Sequence, residues 1–188
     1  LGTNNVLKAA KNVNVESFVN ISTDKAADPT SVLGYSKLIT ERLTAGTGDQ
    51  NPGTYVSVRF GNVLGSRGSV IHTFRYQIER GGPVTVTDEE VTRYFMTIKE
   101  AVHLVLQASV LGSNGETLIL DMGAPENIAQ MARYMISRSG RDIDILFTGI
   151  RNGEKLHDSL FSRTENSNVR VHPLISHSRV KPVSSHDL

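Results

Sequence analysis

Thr54-Tyr55-Val56-Ser57-Val58-Arg59-Phe60 runs directly into Gly61-Asn62-Val63-Leu64-Gly65-Ser66-Arg67-Gly68, and from there into Ser69-Val70-Ile71-His72. The first stretch is β-branched and aromatic, the composition of a pleated and half-buried strand. The second holds three glycines, Gly61, Gly65 and Gly68. From about Ser69 to Arg80 the apolar spacing is helical, until Gly81-Gly82-Pro83 stops it. Strand, glycine-rich loop and helix in that order are the repeating unit of an α/β sheet.

The same alternation continues upstream. Asn4 to Asn12 carries Val6, Leu7, Ala9 and Ala10 on one helical side. Ser17-Phe18-Val19-Asn20-Ile21-Ser22 is a short buried strand that ends in Thr23-Asp24-Lys25, and a second helix carries Leu33, Lys37, Leu38, Glu41 and Arg42 to a stop near Gly46 and Gly48. Downstream, Val84 to Thr87 is a strand, and Thr97-Ile98-Lys99-Glu100 has the form of a capping box before an apolar helix to Leu111. A strand over Glu116 to Met122, a helix from Asn127 to Ser139 closed by Gly140, and a strand from Asp142 to Thr148 follow. The turn Arg151-Asn152-Gly153 then leads to a short helix expected over Glu154 to Phe161. The tail from Ser162 to Leu188 is polar, is broken by Pro173 and Pro182, and is expected to be irregular. The pattern predicts an α/β fold with a largely parallel sheet.

Composition narrows the function. The 188 residues hold 20 Lys and Arg against 19 Asp and Glu, a net charge of +1, so the basic surplus that a nucleic-acid binder uses to displace counterions is missing. Hydrophobic residues at 38% and charged residues at 21% suit a globular chain. The absence of cysteine excludes disulfides, thiolate metal sites and cysteine nucleophiles. No apolar run approaches the roughly 18 residues of a membrane span. The opening Leu1-Gly2-Thr3-Asn4 reads as the middle of a longer chain.

Ligands of open α/β sheets sit beyond the carboxyl ends of the strands, and two such ends stand out. Ser22-Thr23-Asp24-Lys25 sets a hydroxyl, a carboxylate and an amine side by side, an acid and base set or an ordinary solvated loop with a charge pair. The loop Gly61 to Gly68 offers backbone N–H groups, a helix N-terminus and Arg67 to an anion, or is a plain turn. Its G-x-x-x-G-x-x-G spacing is not that of a dinucleotide fingerprint, although Asp88 lies about 20 residues beyond it. Arg93 and Arg151 stand in loops, suited to phosphate contacts or to solvation. Gly149 to Lys155 lacks the spacing of a P-loop. His172, His177 and His186 lie in the tail without metal-binding spacing, and no metal is expected.

Together the motifs are more specific than their parts. Phe18 to Ala26 (FVNISTDKA), Val58 to Val70 (VRFGNVLGSRGSV), Thr92 to Ile98 (TRYFMTI), Leu120 to Gly123 (LDMG) and Thr148 to Leu156 (TGIRNGEKL) occur in order. In this combination the chain, from Leu1 to about Leu160, resembles the nucleotide-sugar 4,6-dehydratases of bacterial polysaccharide and glycan biosynthesis, a branch of the extended short-chain dehydrogenase/reductases. The resemblance implies the C-terminal part of an NAD-binding Rossmann-like fold with a smaller substrate-binding lobe. Residues 1–70 are then the C-terminal half of the dinucleotide-binding domain, 71–161 a UDP-sugar-binding lobe interleaved with Rossmann elements, and 162–188 the irregular tail. The glycine fingerprint for NAD would precede Leu1, leaving the strand before Asp24 as an open sheet edge.

The activity the resemblance implies is a lyase reaction with an internal redox cycle on a UDP-N-acetylhexosamine, typically UDP-N-acetylglucosamine. Hydride leaves C4 to NAD, a base takes the C5 proton, the C6 hydroxyl departs as water, and the hydride returns at C6 to give a 4-keto-6-deoxy sugar. By motif, Thr23, Asp24 and Lys25 are the catalytic Thr-Asp-Lys, with Asp24 the acid at C6 and the candidate base at the C4 hydroxyl, and Lys25 the base at C5. Lys37 matches the active-site lysine on the nicotinamide ribose, with Ser22 and Leu33 beside the cofactor. Leu33 stands where most short-chain dehydrogenases have Tyr, an apolar position in one branch of the dehydratases. Asn62, Ser66, Arg67 and Ser69 match positions around the UDP moiety, and Arg93, Arg151 and Glu154 match residues closing over diphosphate and uridine. A cytoplasmic location is expected, with a longer parent anchored at the cytoplasmic membrane face, and a homo-oligomer. The alternatives are a 4-epimerase of the same superfamily, which needs no C5/C6 elimination pair, and a non-catalytic UDP-sugar-binding module.

Overall fold

The computed structural model describes residues 2–66, 68–165 and 169–184. In chain order the elements are α1 (Gly2–Asn12), β1 (Ser17–Ile21), α2 (Val32–Gly48), β2 (Thr54–Arg59), β3 (Asn62–Leu64), α3 (Val70–Glu79), β4 (Val84–Val86), β5 (Thr92–Arg93) and β6 (Phe95–Thr97). They continue with α4 (Ile98–Leu111), β7 (Glu116–Leu120), β8 (Glu126–Asn127), α5 (Ile128–Ser139), β9 (Ile145–Phe147), β10 (Val169–His172) and β11 (Ile175–Arg179). The chain divides into two compact units, Leu1–Phe60 with Val102–Asp121 and Ser159–Leu188, and Gly61–Ala101 with Met122–Asp158.

The first unit is built on a five-stranded sheet of order β1-β2-β7-β11-β10. The pairs β1–β2 and β2–β7 are parallel, as the strand and helix alternation predicts, while β7–β11 and β10–β11 are antiparallel. β1 is an edge strand of this sheet. Side chains alternate across the pleat, so Asn20, Ser57, Thr117 and Ser178, which stand opposite one another from strand to strand, form a buried polar row on one face. The opposite face carries Val56, Val58, Leu118 and Leu120, all fully buried. α1 and α2 pack Leu7, Ala10 and Leu43 against Tyr55 and Phe18, whose rings stack at 5.5 Å between centroids.

Two expectations are corrected here. The described tail is not irregular throughout, because β10 and β11 form a hairpin whose second strand adds to β7. Pro173 sits between these two strands and Pro182 lies beyond them, so neither interrupts a ladder. The polarity of Ser176-His177-Ser178 also misleads, since all three are buried in the sheet. The strands therefore replace the expected coil over Val169–His172 and Ile175–Arg179, and His186 lies outside the described residues. The second correction concerns Glu154 to Phe161, which is not a helix. Thr92 N–H donates to the Leu156 carbonyl at 3.1 Å, and the Arg93 guanidinium donates to the carbonyls of Lys155 and Leu156 at 3.0 Å each. Those carbonyls are thereby drawn into contacts with β5 instead of a helical ladder.

The second unit packs α3 and α5 against β4. Its core is Phe74, Ile78, Val84, Val86, Val91, Ile128, Ala129 and Ala132. The short pairs β3–β6 and β4–β9 are parallel and β5–β8 is antiparallel. Among the described residues no helix is long and apolar enough to cross a membrane.

Candidate active site

The first strand end is held by its neighbour. Ser22 N–H donates to the Val58 carbonyl at 2.8 Å and Asp24 N–H donates to the Phe60 carbonyl at 3.0 Å, which carries the β1–β2 pairing past the end of the strand. The chain then turns through a short 3₁₀ helix, Asp24–Ala26, capped by Thr23, whose hydroxyl accepts from Lys25 N–H at 3.4 Å. Thr23 Oγ1 also donates to Asp24 Oδ1 at 2.9 Å, and Lys25 Nζ donates to the same oxygen at 3.0 Å. Asp24 is fully buried, and its other oxygen, Oδ2, has no hydrogen-bond partner among the described residues. A buried carboxylate oxygen left without a donor is costly, and a ligand hydroxyl would relieve it. The Lys25 side chain is 30% exposed, open to the medium that Asp24 is closed from.

α2 lies along this strand end through three successive turns of one face. Gly34 packs on the Lys25 carbonyl, Lys37 Nζ donates to the Ile21 carbonyl at 3.0 Å, and Glu41 Oε1 accepts from Ser22 Oγ at 2.5 Å. A helix repeats its face every three to four residues, so these three positions are neighbours. The residues assigned to NAD by resemblance divide on this geometry. An ammonium has three donors, and Lys37 uses one of them on the Ile21 carbonyl, leaving N–H groups suited to a ribose. Leu33 is 55% exposed, an apolar surface suited to the flat face of a nicotinamide. Ser22 instead turns its hydroxyl into the protein, toward Glu41.

The second unit contains a cavity of about 290 Å³, lined in part by Asn62, Ser66, Ser69, Arg93, Phe95 and Glu154. Asn62 is positioned by β3, with its N–H on the Tyr94 carbonyl at 2.9 Å. Ser69 is the N-cap of α3 and accepts from Ile71 N–H at 3.3 Å, so the positive end of the helix dipole faces the glycine loop. Gly65 and Gly68 have φ of +74° and +76°, conformations that let the loop turn back on itself without side-chain clashes. Arg93 donates to the carbonyls of Thr92, Lys155 and Leu156, lies 3.4 Å from Glu154 Oε1, and pairs through Nε with Asp158 at 3.2 Å. It organises the loop that presents Glu154, whose carboxylate also accepts from Thr87 Oγ1 at 3.4 Å.

Of the sequence-predicted residues, Asn62, Ser66, Ser69, Arg93 and Glu154 line one cavity, and Thr23, Asp24, Lys25 and Lys37 gather at one strand end. Arg151 is exposed and is not among the residues lining the cavity. Arg67 lies outside the described residues. Sequence reasoning missed Thr87, Val91 and Ile128 as lining residues, and it missed Glu41 behind Ser22. Phe95, inside the quoted TRYFMTI stretch, was within reach of the motif alone.

A sheet with parallel strands joined through helices gives the first unit the Rossmann-like fold of the extended short-chain dehydrogenase/reductases. The chain belongs to the polysaccharide biosynthesis protein family, whose model matches residues 1–180. It is 52% identical over 177 residues to the capsular polysaccharide biosynthesis protein CapD of Staphylococcus aureus, an alignment covering 92% of this chain and 29% of that protein. It is 39% identical over 165 residues to a UDP-glucose 4-epimerase of Rickettsia canadensis, covering 86% of this chain and 48% of the relative. The X-ray structure of Pen from Bacillus thuringiensis superimposes with a TM-score of 0.88 at 34% identity, covering 97% of this chain and 59% of that one. The fold alone is shared with the Thermus thermophilus UDP-glucose 4-epimerase in complex with NAD, at a TM-score of 0.73, 20% identity, and coverage of 84% of this chain and 59% of that one. The chain thus spans between about a third and a half of the length of these curated relatives.

Proposed function

We propose that this chain carries the acid, base and nucleotide-recognition residues of an NAD-dependent UDP-N-acetylhexosamine 4,6-dehydratase, acting on UDP-N-acetylglucosamine in polysaccharide biosynthesis in the cytoplasm. The observation that carries the reading is the buried Asp24 Oδ2, without a hydrogen-bond partner among the described residues, beside Lys25. Elimination across C5 and C6 needs a proton removed from carbon and a proton delivered to oxygen, and Asp24 and Lys25 are two groups of that kind on adjacent residues.

Asp24 Oδ2 takes the proton of the C4 hydroxyl. NAD, when bound, supplies the hydride acceptor for C4 and the donor for C6. Lys25 Nζ removes the C5 proton that the 4-ketone has acidified. Asp24 gives its proton to the C6 hydroxyl, the C6–O bond breaks, and water leaves. Lys25 returns its proton to C5 as C6 is reduced, so both side chains finish as they began. Thr23 fixes the Asp24 carboxylate through Oδ1, and Lys37 holds the nicotinamide ribose against Leu33. In the second unit, the glycine loop with Asn62, Ser66, Arg67 and Ser69 takes the diphosphate, and Glu154, held by Arg93, takes the uridine, with Arg151 closing from the loop edge.

The 39% identity to a protein named as a UDP-glucose 4-epimerase favours a second reading, epimerisation at C4 on the same scaffold. The two part at C5 and C6. Incubating the full-length protein with UDP-N-acetylglucosamine and following the sugar by NMR gives a 4-keto-6-deoxy product, with solvent deuterium at C5, on the dehydratase reading. A C4 epimer without loss of water overturns it. Binding of the UDP-sugar with no turnover supports a non-catalytic module instead.

A further inference from the structure

Behind the acid and base turn lies a charged cluster that the proposed mechanism does not use. Arg59 is fully buried and donates to Glu41 through Nε at 3.0 Å and Nη2 at 2.6 Å. It also donates to Glu165 through Nη1 at 2.7 Å and Nη2 at 2.9 Å, and through Nη1 to the Leu160 carbonyl at 3.0 Å. Burial works to lower the proton affinity of this guanidinium, but the hydrogen bonds and charges of Glu41 and Glu165 outweigh it and hold it above the ordinary arginine value. The cluster contains two carboxylates and one guanidinium. One bidentate carboxylate already satisfies an arginine fork, so Glu165 is more than Arg59 needs for neutrality.

The cluster reaches the site from more than one side. Glu41 accepts from Ser22, the residue before Thr23. Arg59 stands between Val58 and Phe60, whose carbonyls receive the N–H groups of Ser22 and Asp24. The segment that brings Glu165 is fastened a second time, by Ser162 Oγ donating to Asp28 Oδ1 at 2.7 Å and Arg163 N–H donating to Asp28 Oδ2 at 3.1 Å. Asp28 follows the Asp24–Ala26 turn by two residues. Segment 160–165 therefore grips both flanks of Thr23-Asp24-Lys25. A buried charge cluster adds little net stability, yet it permits few geometries.

We propose that Glu165 is a positioning residue for the acid and base turn, acting through Arg59 and Glu41 on Ser22. This rests on the reading of Asp24 and Lys25 as the reacting groups. The test uses the full-length protein with Glu165→Gln, which keeps the shape of the side chain, Glu165→Asp, and Lys181→Ala as a control on an exposed side chain away from the cluster. Glu165→Gln lowers kcat about tenfold, short of the ~10²-fold loss that a 1 Å misplacement brings, while KM for UDP-N-acetylglucosamine stays within about twofold. Backbone amide exchange across residues 22–26 accelerates in the same variant, Glu165→Asp recovers part of both losses, and Lys181→Ala resembles the parent. Unchanged exchange across residues 22–26 in Glu165→Gln overturns the proposal, as does a kcat equal to that of the parent. A parent that yields only a C4 epimer sinks the dehydratase reading and leaves the exchange comparison standing.

Discussion

Gly34 lies so close to Lys25 that a β-carbon on it would come within 2.4 Å of the Lys25 carbonyl oxygen. The approach is backbone against backbone, so no side-chain rotation relieves it. Ser31 caps α2 and accepts from Gly34 N–H at 3.1 Å, which fixes the first turn of the helix from the other side. The helix that carries Lys37 is thus seated directly on the turn that carries Asp24 and Lys25.

Gly34→Ala therefore displaces the proposed acid and base turn and leaves the residues lining the proposed nucleotide cavity of the second unit unchanged. In the full-length protein we expect kcat to fall on the order of 10²-fold, as small misplacements of reacting groups do, with UDP affinity unchanged. Steady-state kinetics beside calorimetric titration with UDP separates the two. Parental kcat in this variant would show that the turn tolerates the shift.

On the proposed mechanism, Lys25→Ala abolishes turnover while leaving UDP-sugar affinity nearly intact, because a base at C5 acts in the transition state and contributes little to ground-state binding. Asp24→Asn has the same split. An equal loss of affinity in Lys25→Ala makes Lys25 a substrate ligand instead.

Arg93→Lys removes the planar fork that holds the carbonyls of Thr92, Lys155 and Leu156 together with Glu154 and Asp158. The loop 154–158 becomes more open to limited proteolysis, and UDP affinity falls about tenfold, equivalent to about 1.4 kcal/mol. Unaltered proteolysis at this loop would remove Arg93 from the role of organiser.

Glu100 gives a pH-dependent prediction with a definite sign. Its carboxylate accepts from Thr97 N–H and Thr97 Oγ1 at 2.7 Å each, and these hydrogen bonds hold it below the ordinary glutamate value. A carboxyl depressed in the folded state contributes stability above its unfolded value and loses it as the pH falls through the folded one. The melting-temperature gap between the parent and Glu100→Gln is therefore present at neutral pH and closes in acid, below the ordinary glutamate range. A gap that widens in acid contradicts the capping role.

What the sequence made legible was local. The capping box at Thr97 and Glu100 forms as its spacing predicts, with Glu100 N–H returning to Thr97 Oγ1 at 3.2 Å. Thr23, Asp24 and Lys25 are adjacent in the chain, so their meeting needed no knowledge of the fold. Asn62, Ser66 and Ser69 meet in one cavity because one strand, loop and helix carries all three. The misses are contacts made across long separations. Ser176, His177 and Ser178 look like solvent-facing tail until Leu118 and its neighbours stand opposite them in the sheet. Glu154 to Phe161 has a helical composition, but the guanidinium of Arg93, more than 60 residues earlier, claims its carbonyls. Arg59, read from the sequence as one strand residue among seven, is the centre of a buried ionic cluster.

That cluster also sets a schedule for the ribosome. Arg59 and Glu165 are 106 residues apart, so the guanidinium is made long before its second carboxylate. At about 5–20 residues per second, synthesis leaves it without that partner for roughly 5 to 20 seconds. β11, which closes the far side of β7, arrives later still. The first unit therefore completes its interior only after the second has been translated, and the nascent chain spends that interval with an open sheet, the stage at which chaperones bind and aggregation begins.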